Sequence, residues 1–161
     1  MLLRKGSVIL FVLVLLSIMA VVSAGAVNPN MATKAGNGGY IVTPGYAGSS
    51  TIGVKAASGS VSPMSFSASI TQGQTLWYYK YISQGCPGFC TTLNWGNPSN
   101  KLQLTIFTAD GYVLGPFEDG SDGVIDGRIC LYIWRSGGLA GGTYYEKVYG
   151  ESVTGQQSFT I

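Results

Sequence analysis

Two short stretches with strictly alternating side chains constrain the fold more than any other feature of this sequence. They run over residues 102–106 and 129–133, and in each an aliphatic residue occupies every second position. In a β-strand successive side chains point to opposite faces, so a period of two places one aliphatic row against a core. Both stretches are therefore predicted to be half-buried strands at the centre of the fold.

Further strands are predicted at regular spacing from residue 64 onward. The eight predicted strands are Met64–Ile70, Thr75–Ile82, Cys90–Trp95, Leu102–Thr108, Tyr112–Leu114, Arg128–Trp134, Thr143–Tyr149 and Gln156–Ile161. Turn-forming sequences rich in Gly, Pro, Asn and Asp separate them, and no window has a helical period. Short strands with regular turns predict an all-β fold, an antiparallel β-sandwich of two sheets occupying residues 64–161.

Residues 1–26 are typical of a secretory signal peptide. Arg4 and Lys5 precede an apolar run over residues 8–22, and small residues follow it. An uncleaved membrane anchor and a pilin-like signal cut before the apolar run are the alternatives. All three place the remainder of the chain outside the cytoplasm, so an extracellular or cell-surface protein is expected.

Residues 27–63 are rich in Gly, Ser, Ala, Thr and Asn, and they are predicted to form a flexible leader. Two pieces within it, Tyr40–Val42 and Thr51–Val54, have the composition of strands. In a protein that assembles with copies of itself, such a piece could add to the sheet edge of a neighbouring subunit.

The low charge of the chain excludes several classes of function. Charged residues make up only 10% of it, and removing Arg4 and Lys5 from the nine basic residues leaves seven against seven acidic ones. A neutral chain without a basic patch is not expected to bind nucleic acid. There are no histidines, so the usual nucleophile–base pairs are missing and an enzyme is not predicted.

An acidic, glycine-rich loop is the first candidate site. Four of the seven acidic residues lie in it, namely Glu118, Asp119, Asp122 and Asp126. Clustered carboxylates and loop carbonyls are the ligands that Ca²⁺ prefers. The alternative is that the Asp side chains cap turns through their own backbone. Calcium is therefore a candidate ligand, although no cofactor is required.

The three cysteines allow two kinds of disulfide. Cys86 and Cys90 flank a Pro-Gly turn, which favours an intramolecular bond if their backbones come close enough. Cys130 is then left over, and an odd cysteine in a secreted protein suggests a bond between subunits. A free thiol buried under the opposite sheet or under an aromatic residue is the alternative for Cys130.

Aromatic residues are more abundant than one small core requires. Seven of them are predicted to form contact surfaces: Trp77, Tyr79, Tyr81, Tyr132, Trp134, Tyr145 and Tyr149. Such rings bury a large area at a low entropic cost, in contacts with carbohydrate, with other proteins or with copies of the same chain. Cross-strand pairs that stabilise the sheet are the alternative interpretation.

Four segments of this chain resemble the pre-peptidase C-terminal domain family of bacteria and archaea. They are ITQGQTLWYYKYI, LNWGNPSNKLQLTIFTADGYVLGP, GGTYYEKVYG and QSFTI, spread over residues 66–161. The resemblance implies a jelly-roll-like β-sandwich of the kind found beside secreted proteases and in surface proteins of methanogenic archaea. Glu146 departs from the family pattern because it occupies an inward position, where Arg128 or Arg135 is a candidate partner.

These features together predict a self-assembling structural protein of the cell envelope, of the sheath or surface-layer (S-layer) type. Its partners would be copies of itself, with other envelope proteins or glycans as further candidates. A secreted module that binds carbohydrate or protein through its aromatic face, with calcium as a stabiliser, is the alternative function.

Overall fold

A computed structural model describes residues 34–45 and 65–161. The described residues form nine strands and no helix: β1 (Tyr40–Pro44), β2 (Ser67–Thr71), β3 (Thr75–Ile82), β4 (Gly88–Asn94), β5 (Lys101–Phe107), β6 (Val113–Phe117), β7 (Arg128–Arg135), β8 (Gly142–Ser152) and β9 (Gln156–Thr160). The prediction of an all-β fold is confirmed. Each of the eight strands predicted from the sequence corresponds to one of β2 to β9, with small differences at the ends.

The strands form two antiparallel sheets. One has the order β1-β7-β4-β9-β2, and the other has the order β3-β8-β5-β6. The two aliphatic stretches lie in different sheets, since β5 is an inner strand of the second sheet and β7 an inner strand of the first. Their aliphatic rows are almost completely buried and belong to one core cluster. The interpretation of both stretches as the centre of the fold is therefore confirmed.

Strand β1 comes from the segment predicted to be a flexible leader. It pairs antiparallel with β7 of its own chain, from Tyr40 opposite Arg135 to Pro44 opposite Leu131. The folded unit therefore includes residues before the predicted boundary at residue 64. Thr51–Val54 and the predicted signal segment 1–26 lie outside the described residues. Within the described ranges no helix is long and apolar enough to cross a membrane.

A buried polar network attaches β1 to the second sheet. The Tyr40 hydroxyl donates to Oδ1 of Asp110 at 2.7 Å and lies 2.8 Å from the Tyr144 hydroxyl on β8. Nη1 of Arg135 donates to Oδ2 of Asp110 at 2.8 Å, and its guanidinium lies 4.7 Å from the centre of the Tyr40 ring. These contacts satisfy each polar group that burial would otherwise penalise.

Candidate interaction surface

The outer side of the second sheet carries the most exposed aromatic rings among the described residues. Alternation along β3 places Trp77, Tyr79 and Tyr81 outward, whereas Tyr78 and its even-numbered neighbours point toward the core. Tyr79 is 74% exposed and Tyr81 is 75% exposed. Monomeric proteins rarely leave adjacent large rings this open without a contact that uses them.

The ladder between strands extends this row across the sheet. Tyr79 lies opposite Tyr145 on β8, and Tyr145 lies opposite Phe107 on β5. The rings of Tyr79 and Tyr145 are 6.5 Å apart, and those of Trp77 and Phe107 are 5.3 Å apart. We call Trp77, Tyr79, Tyr81, Phe107 and Tyr145 together the aromatic face. Such pairs contribute about 0.5–1.5 kcal/mol each beyond area burial, so Trp77 and Phe107 stabilise the sheet while Tyr79 and Tyr81 stay open.

Phe107 was not among the residues predicted to form a contact surface. The alternation of β5 already indicates the orientation of Phe107. Residues 103, 105 and 107 point to the same side of the strand, which is the outer side of the sheet. What the sequence does not reveal is that Phe107 comes within reach of Trp77. That contact depends on β8 lying between β3 and β5 in the sheet.

The remaining predicted aromatic residues lie elsewhere. Tyr149 is on the same sheet, opposite Thr75 and Gln103, and is partly covered. Tyr132 and Trp134 are on β7 in the other sheet and are also partly covered. The seven aromatic residues therefore do not form one surface, and those of β7 are less exposed than Tyr79 and Tyr81.

Strand β3 also lies at an edge of its sheet. All eight of its residues pair in continuous register with β8, and no other strand among the described residues pairs with it. An edge strand presents a row of backbone N–H and C=O groups that can pair with another chain. The aromatic face is therefore next to a free sheet edge.

The inner side of the same strand carries a buried ion pair. Glu146 is only 2% exposed, and Nζ of Lys80 lies 2.8 Å from its Oε1. Apart from this ionic contact, Oε1 has no partner in the described part of the chain. The prediction that Arg128 or Arg135 would pair with Glu146 is wrong, because those residues bind Asp126 and Asp110 instead.

The four carboxylates of the acidic loop do not converge on a common point. Asp119 accepts hydrogen bonds from the backbone N–H groups of Asp126 and Gly127, and Asp122 accepts from those of Val124 and Cys130. The contact of Asp122 with Val124, two residues on, is the turn-capping contact that was the alternative to calcium binding, whereas the other three hold the loop closed over seven or eight residues.

The other two carboxylates of the loop are also engaged. Glu118 accepts from Nε2 of Gln103 at 3.2 Å, and Asp126 pairs with Arg128 at 3.3 Å. In the described part of the chain no group of three or more acidic, Cys or His residues is arranged to hold a metal ion. The calcium site predicted at Glu118, Asp119, Asp122 and Asp126 is therefore not supported by the geometry.

All three cysteines are free, and the predicted bond between Cys86 and Cys90 is not formed. The Cys86 thiol donates instead to the carbonyl of Gly88 at 3.3 Å. Cys90 is exposed, while Cys130 is only 4% exposed. A Cβ added at Gly45 would lie 3.0 Å from the sulfur of Cys130, so the chain just after β1 covers this thiol. Cys130 is thus a buried free thiol, as in the alternative prediction, but the cover is the chain after β1 rather than the opposite sheet or an aromatic residue.

The described residues form an all-β protein with an exposed aromatic face on one sheet. Comparison with known proteins does not assign the chain to a narrower class. No family model matches the chain, so the resemblance to the pre-peptidase C-terminal domain gains no support from that comparison. A stretch of 42 residues, 26% of this chain, is 43% identical to an uncharacterized protein from Archaeoglobus fulgidus. The matched stretch spans 58% of that relative. The likeness is to an archaeal protein, and it establishes neither a family nor an activity.

Proposed function

We propose that this protein is a self-assembling structural subunit of an extracellular cell envelope, of the sheath or surface-layer type. The observation that carries the proposal is the position of Tyr79 and Tyr81, two rings about three-quarters exposed, on a strand whose outer edge pairs with no other strand of the described residues. Both the ring surfaces and the backbone groups of β3 are thus presented to a neighbour at one place.

The aromatic rings of this surface contribute substantially to association. Burying one large apolar side chain contributes about 1.5–3 kcal/mol, and Tyr79 and Tyr81 are about three-quarters exposed, so most of that area is still available for burial. Two such rings on each of two subunits offset much of the cost of immobilising them, which is about 4–15 kcal/mol. The low charge of the chain adds little repulsion between copies.

Two features of the chain favour the cell surface as the location. The N-terminal 26 residues are typical of a secretory signal. The resemblance to domains of archaeal surface proteins points the same way. A bond between subunits through Cys130 is not part of the proposal, because that thiol is covered.

Electron microscopy and sedimentation of the purified protein test the proposal. We expect ordered sheets, rings or fibres, and we expect Tyr81→Lys to abolish them by placing a charge in the contact. Ile125→Lys is the matched control, because Ile125 is 74% exposed but lies in the acidic loop away from the aromatic face. A protein that stays monomeric at high concentration, or equal effects of the two variants, would contradict the proposal.

One observation favours a second function, the binding of carbohydrate. Tyr79 and Tyr81 are two residues apart on one strand face, which places their rings about 7 Å apart along a flat sheet. Neighbouring exposed rings at such a spacing offer a platform on which sugar rings stack. Retention of the wild-type protein, but not of Tyr79→Ala, on insoluble polysaccharides would support this function over self-assembly.

A further inference from the structure

We propose that two copies of this chain pair through their β3 strands, antiparallel about a two-fold axis at Tyr79, into one continuous eight-stranded sheet. The inference rests on the proposed function, because it names a second copy as the partner of the β3 edge. It adds the strand, the register and the symmetry of the first contact.

Among the sheet edges of the described residues, β3 offers the longest regular row of backbone groups for pairing with another strand. It has eight residues, whereas the other edge strands β1, β2 and β6 have five each. β1 ends at Pro44 and β6 contains Pro116, which removes a backbone donor. β3 contains neither Pro nor Gly, and its ladder with β8 has no bulge. Long, regular edges without proline or bulges are the ones that pair most readily with another chain.

The alternation of β3 restricts the registers that a two-fold axis allows. In an antiparallel pair, residues directly opposite each other point to the same face. The axis must therefore pass through a residue, which is then opposite its own copy. Near the middle of the strand the choices are Tyr78, Tyr79 and Lys80.

The side chains distinguish these three registers. An axis at Lys80 would place two ammonium groups opposite each other, which is unfavourable. An axis at Tyr78 would place Leu76 opposite Lys80. An axis at Tyr79 instead pairs Trp77 with Tyr81, Leu76 with Ile82 and Tyr78 with Lys80. Only this last register matches aromatic with aromatic on the outer face and aliphatic with aliphatic at the ends.

Lys80 does not prevent this pairing. An inward-pointing charge on an edge strand is one way in which proteins prevent edge pairing. Here the ammonium lies 2.8 Å from Glu146 and 5.0 Å from the centre of the Phe89 ring, so its charge is compensated within its own subunit. What remains is a nearly neutral edge whose best complement is its own sequence, and this is why we assign a second copy as the partner.

Disulfide trapping tests the register. In the full chain carrying Cys86→Ser and Cys90→Ser, with the covered Cys130 retained, Tyr79→Cys places two thiols directly across the axis. Their Cβ atoms would be about 4.5–5.5 Å apart, close to disulfide range. Tyr81→Cys is the matched control, since its copy would be four residues away along the strand, about 13 Å.

Under mild oxidation we expect several-fold more cross-linked dimer from Tyr79→Cys than from Tyr81→Cys, and none from the background alone. Both rings are exposed, so neither change is expected to unfold the protein. Equal or absent cross-linking from the two variants would overturn the inference.

Sedimentation of the parent protein separates this inference from the proposed function. Large assemblies without preferential cross-linking at residue 79 would leave self-assembly intact and reject β3 pairing. A cross-linked dimer with no larger assembly would support β3 pairing and reject the envelope function.

Discussion

The buried ion pair between Lys80 and Glu146 gives the first prediction for a single residue. Lys80→Met leaves the Glu146 carboxylate in the core without a counter-ion, and we expect the free energy of unfolding to fall by about 3 kcal/mol. The double variant Lys80→Met with Glu146→Leu should recover most of this loss, because an apolar pair of similar size replaces two desolvated charges. Urea unfolding measures both. An equal loss in the single and double variants would show that packing, not charge, is responsible.

Asp110 gives a prediction about pH. Burial alone would raise its pKa, but hydrogen bonds from Tyr40, Thr108 and Arg135 bring the pKa below its ordinary value of 3.8. A carboxylate whose pKa is lowered by folding contributes stability above its unfolded pKa, and this contribution is lost as the pH falls through the folded pKa. We therefore expect the stability of the wild-type protein to fall below about pH 4.

The control for this prediction is Asp110→Asn. The variant should be less stable at neutral pH, because it loses the ion pair with Arg135, and its stability should fall less steeply below pH 4 (roughly the unfolded value). Chemical unfolding at a series of pH values measures both slopes. Parallel curves for the two proteins would exclude Asp110 as a source of acid sensitivity.

The cysteines differ in their expected reactivity toward iodoacetamide. Burial, and then the nearby Cys130, raise the pKa of Cys90, so it should react more slowly than an unperturbed exposed thiol at neutral pH. Cys130 should react more slowly still, because the backbone after β1 covers it. Mass spectrometry of the native protein measures the order. Rapid labelling of Cys130 would show that β1 does not stay in place.

At the scale of elements, one polar cluster attaches β9 to the turn between β4 and β5. Nδ2 of Asn100 donates to Oε1 of Gln157 at 2.6 Å, and its Oδ1 accepts from the backbone of Thr154 at 3.0 Å. Nε2 of Gln157 in turn donates to the carbonyl of Trp95 at 3.0 Å. β4 and β9 share only one paired position, Asn94 opposite Thr160, so these side chains carry much of the connection between them.

We expect Asn100→Ala to lower the free energy of unfolding by about 1–3 kcal/mol, because it removes the two hydrogen bonds that the buried Asn100 side chain makes with Gln157 and Thr154. Amide hydrogen exchange in β9 should accelerate at the same time. The matched control is Asn97→Ala in the same turn, where the exposed side chain caps the N–H of Ser99. Equal effects of the two substitutions would contradict a special role for Asn100.

The strands could be predicted because each depends on local alternation, and β5 and β7 show this most clearly. The partners of buried charges could not, because they depend on which strands become neighbours. Glu146 is opposite Tyr78 and close to Lys80 only because β3 lies beside β8. The prediction of a calcium site in the acidic loop was not supported for a related reason. The composition shows four carboxylates, but it does not show that those of Asp119 and Asp122 accept hydrogen bonds from backbone N–H groups.

At the scale of the whole molecule, association should depend on apolar contact. The chain without Arg4 and Lys5 is neutral, and the aromatic face has one nearby charged group, Lys147 opposite Trp77. Salt screens charge pairs between exposed groups but does not weaken apolar burial. We expect assembly to persist unchanged, or to strengthen, between low salt and about 1 M NaCl, where the screening length is about 3 Å. Dissociation on adding salt, followed by light scattering, would show that charge drives the contact.

The proline in β6 has a consequence for how such a protein grows. The four-stranded sheet has two ends, and Pro116 lies in the strand at one of them while β3 forms the other. A two-fold contact that uses β3 closes on itself and leaves no second β3 to extend the sheet. The dimer would thus be closed. Each outer edge strand of its sheet would contain a proline, and the aromatic faces of both copies would lie on one side of the sheet. Two such dimers would then stack through their aromatic faces, and the stack would have the thickness of two paired sandwiches.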